Sequence, residues 1–148
     1  MRIGDLAEAT GIAVETIRFY EREGLLPPPA RAANNYRIYL PAHVERLAFI
    51  RQCRNLDMTL DEIGALIQLR EQPLQDCGEV NALLDEHIGH VTRRIRELRA
   101  LEKELVALRA RCQSPHAVAD CGILDGLDRA AAESPVAVPR RRHVHGAH

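Results

Sequence analysis

Ile3-Gly4-Asp5-Leu6-Ala7-Glu8-Ala9-Thr10-Gly11-Ile12-Ala13-Val14-Glu15-Thr16-Ile17-Arg18-Phe19-Tyr20 is the stretch on which the fold turns. Ile3, Leu6 and Ala7 fall on one face of a short helix, Thr10-Gly11 breaks it, and a second helix starts near Val14 with Ile17 facing the first. Helix, tight glycine turn, helix is the helix-turn-helix pattern, whose second helix enters the major groove of DNA. Arg18, one residue round from the inward Ile17, points outward and can reach a guanine edge or a phosphate, and Tyr20 lies near the helix end.

Downstream, Pro27-Pro28-Pro29 stops helical structure and a polar turn at Asn34-Asn35 leads into Tyr36-Arg37-Ile38-Tyr39. That alternation predicts a short strand, a wing whose Arg37 between two tyrosines offers a cation and hydroxyl donors to phosphate oxygens. Tyr36 and Tyr39 also suit a second reading, as core aromatics with wet hydroxyls. Pro41 opens a third helix with Val44, Leu47 and Ala48 inward. Thr59-Leu60-Asp61-Glu62 is a capping box flanked by Met58 and Ile63 as a hydrophobic staple, so a fourth helix starts there.

From Glu79 to Cys112 there is no proline, and Leu84, Ile88, Val91, Ile95, Leu98, Leu101, Leu105 and Leu108 recur in steps of three and four. This is a coiled-coil seam on a helix roughly 50 Å long. With no second long helix in the chain to cover it, the seam predicts a homodimer. Charge sets the orientation. Residues 57–92 hold one arginine against eight acids, while residues 93–112 hold seven bases against three acids. Antiparallel pairing sets Glu79, Asp85 and Glu86 of one chain beside Arg99, Lys103, Arg109 and Arg111 of the other, whereas parallel pairing sets like against like.

Composition agrees with an all-α fold carrying a small β wing. Aromatic residues are only 3% and Trp is absent, so the apolar content is the Leu, Ile, Val and Ala of helix packing. The net charge of −1 hides a basic first segment, eight arginines against six acids over residues 1–56, which suits double-stranded DNA as partner. No apolar stretch approaches the roughly 18 residues that span a bilayer, so the expectation is a cytoplasmic protein without membrane contact. The expected organisation is a winged helix-turn-helix domain over 1–70, a linker over 71–78, a dimerisation helix over 79–112, a metal-binding loop and short helix over 113–128, and a flexible tail over 129–148.

Four cysteines in a reducing compartment suit metal ligation or burial better than disulfides. Cys53, among Phe49, Ile50 and Leu56, reads as a core thiol. Cys77 in Gln75-Asp76-Cys77-Gly78 and Cys121 in Asp120-Cys121-Gly122 sit in polar, loop-like settings, and Cys112 closes the long helix. One chain cannot bring Cys77 to Cys112 across a continuous helix. In an antiparallel dimer centred near residues 95–98, however, Cys77 meets the Cys112 and Cys121 of the other chain at each end, giving two three-thiolate sites. Thiolates select soft or borderline ions over Mg²⁺ or Ca²⁺. Asp120, Glu79 and His116 are candidate fourth ligands. His87 and His90 share a helical face, and with His143, His145 and His148 of the tail they are candidates for a weaker secondary metal site, although such a pair is more often solvated. A structural zinc site is the alternative reading of the thiols. No nucleophile, base and orienting group cluster as an enzyme requires.

Ile3-Gly4-Asp5-Leu6-Ala7, Thr16-Ile17-Arg18-Phe19-Tyr20-Glu21-Arg22-Glu23-Gly24-Leu25-Leu26, Tyr36-Arg37-Ile38-Tyr39 and Met58-Thr59-Leu60-Asp61-Glu62-Ile63 resemble the N-terminal signature of the MerR family of regulators. The resemblance spans residues 1–128. It implies that Arg18, Tyr20, Tyr36 and Arg37 contact DNA, that the long helix dimerises antiparallel, and that the dimer represses without metal and activates with it, acting with RNA polymerase at a promoter. Cys77, Cys112 and Cys121 match the metal-binding cysteines of its divalent-metal sensors. The stretches Cys77-Gly78-Glu79-Val80-Asn81-Ala82-Leu83-Leu84 and Cys121-Gly122-Ile123-Leu124 look most like the cadmium- and lead-responsive branch, so Cd²⁺ or Pb²⁺ is the expected effector. The Cys112–Cys121 spacing is also that of mercury sensors, which with zinc sensors supply the alternatives Hg²⁺ and Zn²⁺. The target genes so implied encode heavy-metal resistance and efflux. A sensor of organic ligands is the remaining rival within the family, and 36 residues after Cys112 are too few for a separate pocket-forming domain.

Overall fold

A computed structural model describes residues 1–134. The elements are α1 (Ile3–Thr10), α2 (Val14–Arg22), β1 (Ala30–Arg31), β2 (Arg37–Ile38), α3 (Pro41–Asn55), α4 (Leu60–Arg70), α5 (Gly78–Arg109) and α6 (Gly122–Glu133), with a 3-10 turn at Val118–Asp120. Two compact units divide inside α5, between Leu84 and Asp85.

The first unit is the winged helix-turn-helix. α1 ends because Gly11 takes a left-handed conformation at φ +69°, where its N–H returns to the carbonyl of Ala7. Thr10 is buried, and its hydroxyl donates to the Leu6 carbonyl at 2.7 Å. Gly24, at φ +75°, closes α2 in the same way, and the Leu25 N–H reaches back to Tyr20. These turns deliver Leu6, Ile17, Leu25 and Leu26 into one core with Leu47, Ile50, Ile63 and Ile67. Each such side chain contributes about 1.5–3 kcal/mol when fully buried.

Two details of this unit correct the sequence reading. The inner face of α3 is His43, Leu47, Ile50 and Cys53, not Val44, Leu47 and Ala48, because Ala48 is exposed and Val44 only half-buried. His43 is held in the core by main chain: its Nδ1 accepts the Leu40 N–H at 2.9 Å, and its Nε2 lies 3.1 Å from the Pro27 carbonyl. The wing also has a second strand that the pattern did not show, with Ala30 opposite Ile38 and Arg31 opposite Arg37 in antiparallel register. The α4 start is as read. Thr59 N–H donates to Glu62 Oε1 at 3.0 Å and Glu62 N–H to Thr59 Oγ1 at 3.1 Å, while Met58 and Ile63 are buried. Cys53 is buried, which raises its thiol pKa, as suits a core residue.

The second unit contains the rest of α5 and α6. α5 is unbroken for 32 residues, about 48 Å at 1.5 Å per residue, beginning one residue before the expected Glu79 and giving way to turns before Cys112. Ile88, Val91, Ile95, Leu98, Leu101 and Leu105 are exposed along it, between 39% and 57%. α6 continues to Glu133, so residues 129–133 of the expected tail are helical. Among the described residues no helix is long and apolar enough to cross a membrane.

Candidate nucleic-acid interface and thiol site

The recognition helix is α2. Ile17 is fully buried while Arg18, the next residue, is exposed, so burial of one face fixes the direction of the other. Tyr20, the DNA contact expected near the end of the same helix, lies on its inner side. It is only 8% exposed and belongs to the core, leaving little surface to offer a duplex. Phe19 beside it is exposed, with the Arg22 guanidinium 5.9 Å from its ring.

The two wing tyrosines divide between the two readings given them. Tyr36 is 57% exposed, with the Arg2 guanidinium 5.0 Å from its ring centroid. Tyr39 is a core residue, packed edge-on to His43 at 5.2 Å. Asn35 turns the wing at φ +66°, and its side-chain oxygen accepts from Arg31 at 3.1 Å. Arg37 stands beside them with its side chain 49% exposed. Arg18, Tyr36 and Arg37 are thus all solvent-facing.

In the second unit Cys112 and Cys121 lie near enough for one thiol to act on the other. Cys121 precedes α6 in extended backbone, so its sulfur stands at a helix N-terminus. The main-chain N–H groups of Leu124 and then Ile123 pull its pKa below the ordinary 9.0, helped by the Cys112 thiol within hydrogen-bonding reach. The Cys112 thiol also lies 3.5 Å from the Ser114 carbonyl, and its own carbonyl accepts from Arg109 at 2.7 Å. α6 is seated by two glycines. A Cβ on Gly122 would stand 2.7 Å from the Arg111 carbonyl, and one on Gly126 would collide with the Arg111 guanidinium.

The loop between the thiols is braced by His116. Its Nδ1 lies 2.7 Å from the Ser114 carbonyl and its Nε2 2.8 Å from that of Asp120. Two acceptors require two N–H donors, so the Asp120 and then the Ser114 contact raise its pKa above the usual 6.5. With both ring nitrogens committed, His116 is a loop brace in this arrangement and not a free fourth ligand.

Cys77 is exposed and stands just before α5, at the opposite end of that helix from Cys112. Of the histidines, His87 is buried and His90 exposed, their rings 6.5 Å apart at 88°. The pair therefore does not share a solvent face as expected. His90 lies 4.0 Å from Glu86 one turn back. His143, His145 and His148 fall outside the described residues.

Two family models match the chain. Residues 1–69 match the model of the MerR HTH family regulatory protein, and residues 44–108 match that of MerR, DNA binding. The chain is 48% identical over 114 residues to the HTH-type transcriptional regulator ZntR homolog of Haemophilus influenzae, covering 77% of this chain and 84% of that protein. Among solved structures, the transcription regulator PbrR691 from Ralstonia metallidurans CH34 in complex with lead(II) is 54% identical, with a TM-score of 0.76 over 86% of this chain and 98% of that one. The dual function regulator MerR from Bacillus megaterium MB1, in complex with mercury(II), is 30% identical at a TM-score of 0.67, over 86% of this chain and 99% of that one. These relatives are regulators and not enzymes, and with the two family models they place the chain in the MerR family of helix-turn-helix transcriptional regulators.

Proposed function

We propose that the protein is a cytoplasmic homodimer that binds promoter DNA and activates heavy-metal resistance or efflux genes when Cd²⁺ or Pb²⁺ enters a three-thiolate site, and represses them without metal. The observation that carries this is the meeting of Cys112 and Cys121, with a thiol at a helix N-terminus already biased toward thiolate. Two thiolates fit a soft ion but do not enclose it. The third comes from Cys77 of the other protomer, because about 48 Å of helix separates Cys77 from Cys112 within one chain. The exposed seam on α5 supplies the dimer contact, and its acidic first half against its basic second half favours antiparallel pairing. Metal binding in thiolate sites is worth on the order of 10–16 kcal/mol. About 5.5 kcal/mol of preference between two shapes turns a 1:99 population into 99:1.

On DNA, Arg18 reads base edges while Arg37 and Tyr36 hold phosphates, with Tyr20 supporting the recognition helix from inside. The neighbour bearing lead(II), 54% identical, supports Pb²⁺, while Cd²⁺ rests on the sequence resemblance, with Hg²⁺ and Zn²⁺ as the alternatives. Titrating the purified protein with each of the four ions, following sulfur-to-metal charge-transfer absorbance, and then measuring metal-dependent transcription from its promoter with RNA polymerase tests the reading. Tightest binding and strongest activation by Cd²⁺ or Pb²⁺ are expected. A response to Zn²⁺ or Hg²⁺ alone would reassign the effector, and loss of binding in none of Cys77→Ser, Cys112→Ser and Cys121→Ser would overturn the site.

A further inference from the structure

One carboxylate joins the recognition helix to the wing, and the DNA contacts proposed above leave it unused. Glu21 stands in the last turn of α2, with its side chain 14% exposed. Its Oε1 accepts the Tyr39 hydroxyl, and its Oε2 lies 3.6 Å from Nη1 of Arg37.

An isolated exposed ion pair would mean little, because its two flexible side chains lose entropy and water screens them. This pair differs because one end is fixed. Tyr39 is 1% exposed, and its N–H donates to the Met1 carbonyl at 2.8 Å. Burial, then its contact with Glu21, pushes the Tyr39 phenol up to about 12, so the hydroxyl stays a donor throughout the working pH range. A carboxylate with one oxygen on an immobile donor has its plane set, and its second oxygen then faces the wing at a defined place. Arg37 is met there with half of its side chain still open to solvent.

We infer that Glu21 is a positioning residue for DNA recognition: anchored by the buried Tyr39, it holds the Arg37 guanidinium of the wing in register with α2. The inference rests on the reading of Arg37 as a phosphate contact. Held in this way, Arg37 adds its contact only on duplexes where α2 also fits, so the pair raises discrimination between sequences. Freed, the guanidinium follows any phosphate, and a negative charge near the DNA backbone is gone.

Glu21→Gln keeps an acceptor for Tyr39 and removes the charge. The probes are a duplex selected by the wild-type protein from a random-sequence pool and a scrambled duplex of the same composition, each measured over a range of salt. Glu21→Gln should bind the scrambled duplex roughly three- to tenfold more tightly and lose roughly tenfold in discrimination at wild-type Tm. Tyr39→Phe, which keeps both charges but frees the carboxylate, should also lower discrimination. In an Arg37→Ala background, Glu21→Gln should change the ratio less than about twofold, since the partner is gone. A purely structural Glu21 would lower Tm and weaken both duplexes equally. An unchanged ratio in Glu21→Gln or in Tyr39→Phe, or the same fall with and without Arg37, overturns the inference. If Arg37→Ala alone binds both duplexes as wild type does, the wing reading falls and this inference with it; if Arg37→Ala weakens binding and the cycle shows no coupling, only the inference falls.

Discussion

The proposed intersubunit site yields a prediction that uses only the length of α5 and the orientation of its seam. A heterodimer is built from one protomer carrying Cys77→Ser and another carrying Cys112→Ser, purified by two different tags. With about 48 Å of helix between the two positions in each chain, ligand sets form between chains and not within them. One end of the dimer then collects both serine substitutions and keeps only Cys121, while the other retains Cys77, Cys112 and Cys121. A three-thiolate site drawing on the order of 10–16 kcal/mol owes each sulfur about 3–5 kcal/mol, or roughly two to three and a half orders of magnitude in affinity. Titration with Cd²⁺ under a competing chelator, followed by charge-transfer absorbance, should show one site of wild-type affinity per heterodimer and nothing measurable at the other end. If each chain built its own site, both would lose one sulfur and both would weaken equally. Finding two equally weakened sites in a dimer shown to be heterodimeric refutes the cross-chain assignment.

Three further outcomes follow from the geometry. Alkylation should distinguish the cysteines: Cys121, with its pKa lowered by the Leu124 and Ile123 amides, should react with iodoacetamide with a midpoint below that of a model thiol, while buried Cys53 stays unlabelled until unfolding. Equal labelling of Cys53 and Cys121 in the folded protein would contradict the burial and helix-terminus assignments. Because the pKa of His116 is raised above 6.5, the loop brace is complete below pH 6.5 and is lost as pH rises through the raised value. Amide exchange at residues 114–121, corrected for intrinsic base catalysis, should therefore quicken as pH rises through that raised value, and His116→Ala should remove that pH dependence. Thr59→Ala should cost about 1 kcal/mol in thermal or urea unfolding by removing the α4 cap, and a change within error would mean the cap is redundant.

What could be read in advance was local. The Thr59–Glu62 box and the break at Gly11 act within four or five residues, and the α5 seam repeats over many turns, whereas α2 ends at Gly24, ahead of the prolines expected to stop it. What could not be read depended on partners far along the chain. His43 is buried with one ring nitrogen against the Pro27 carbonyl, 16 residues earlier, and with it the inner face of α3 turns from Val44 and Ala48 toward Ile50. β1 is two residues long, too short to alternate, and exists through its pairing with β2. Tyr20 and Tyr36 look alike in sequence, and the core between α2 and the wing decides that the first is enclosed and the second open. The nearness of Cys112 and Cys121 was legible from the short loop between them, whereas the brace at His116 came from hydrogen bonds that carry no motif.

The seat of α6 sorts the properties of the thiol site into two kinds. Gly122 lets the main chain of α6 rest against the Arg111 carbonyl, where a Cβ would come within 2.7 Å. The distance between the segments bearing Cys112 and Cys121 is therefore a matter of hard contact, indifferent to pH and ionic strength. Closure of the loop over residues 114–120 hangs instead on a protonatable ring. Acidity thus acts on the loop over residues 114–120 through the His116 ring and leaves the contact of Gly122 with Arg111 untouched.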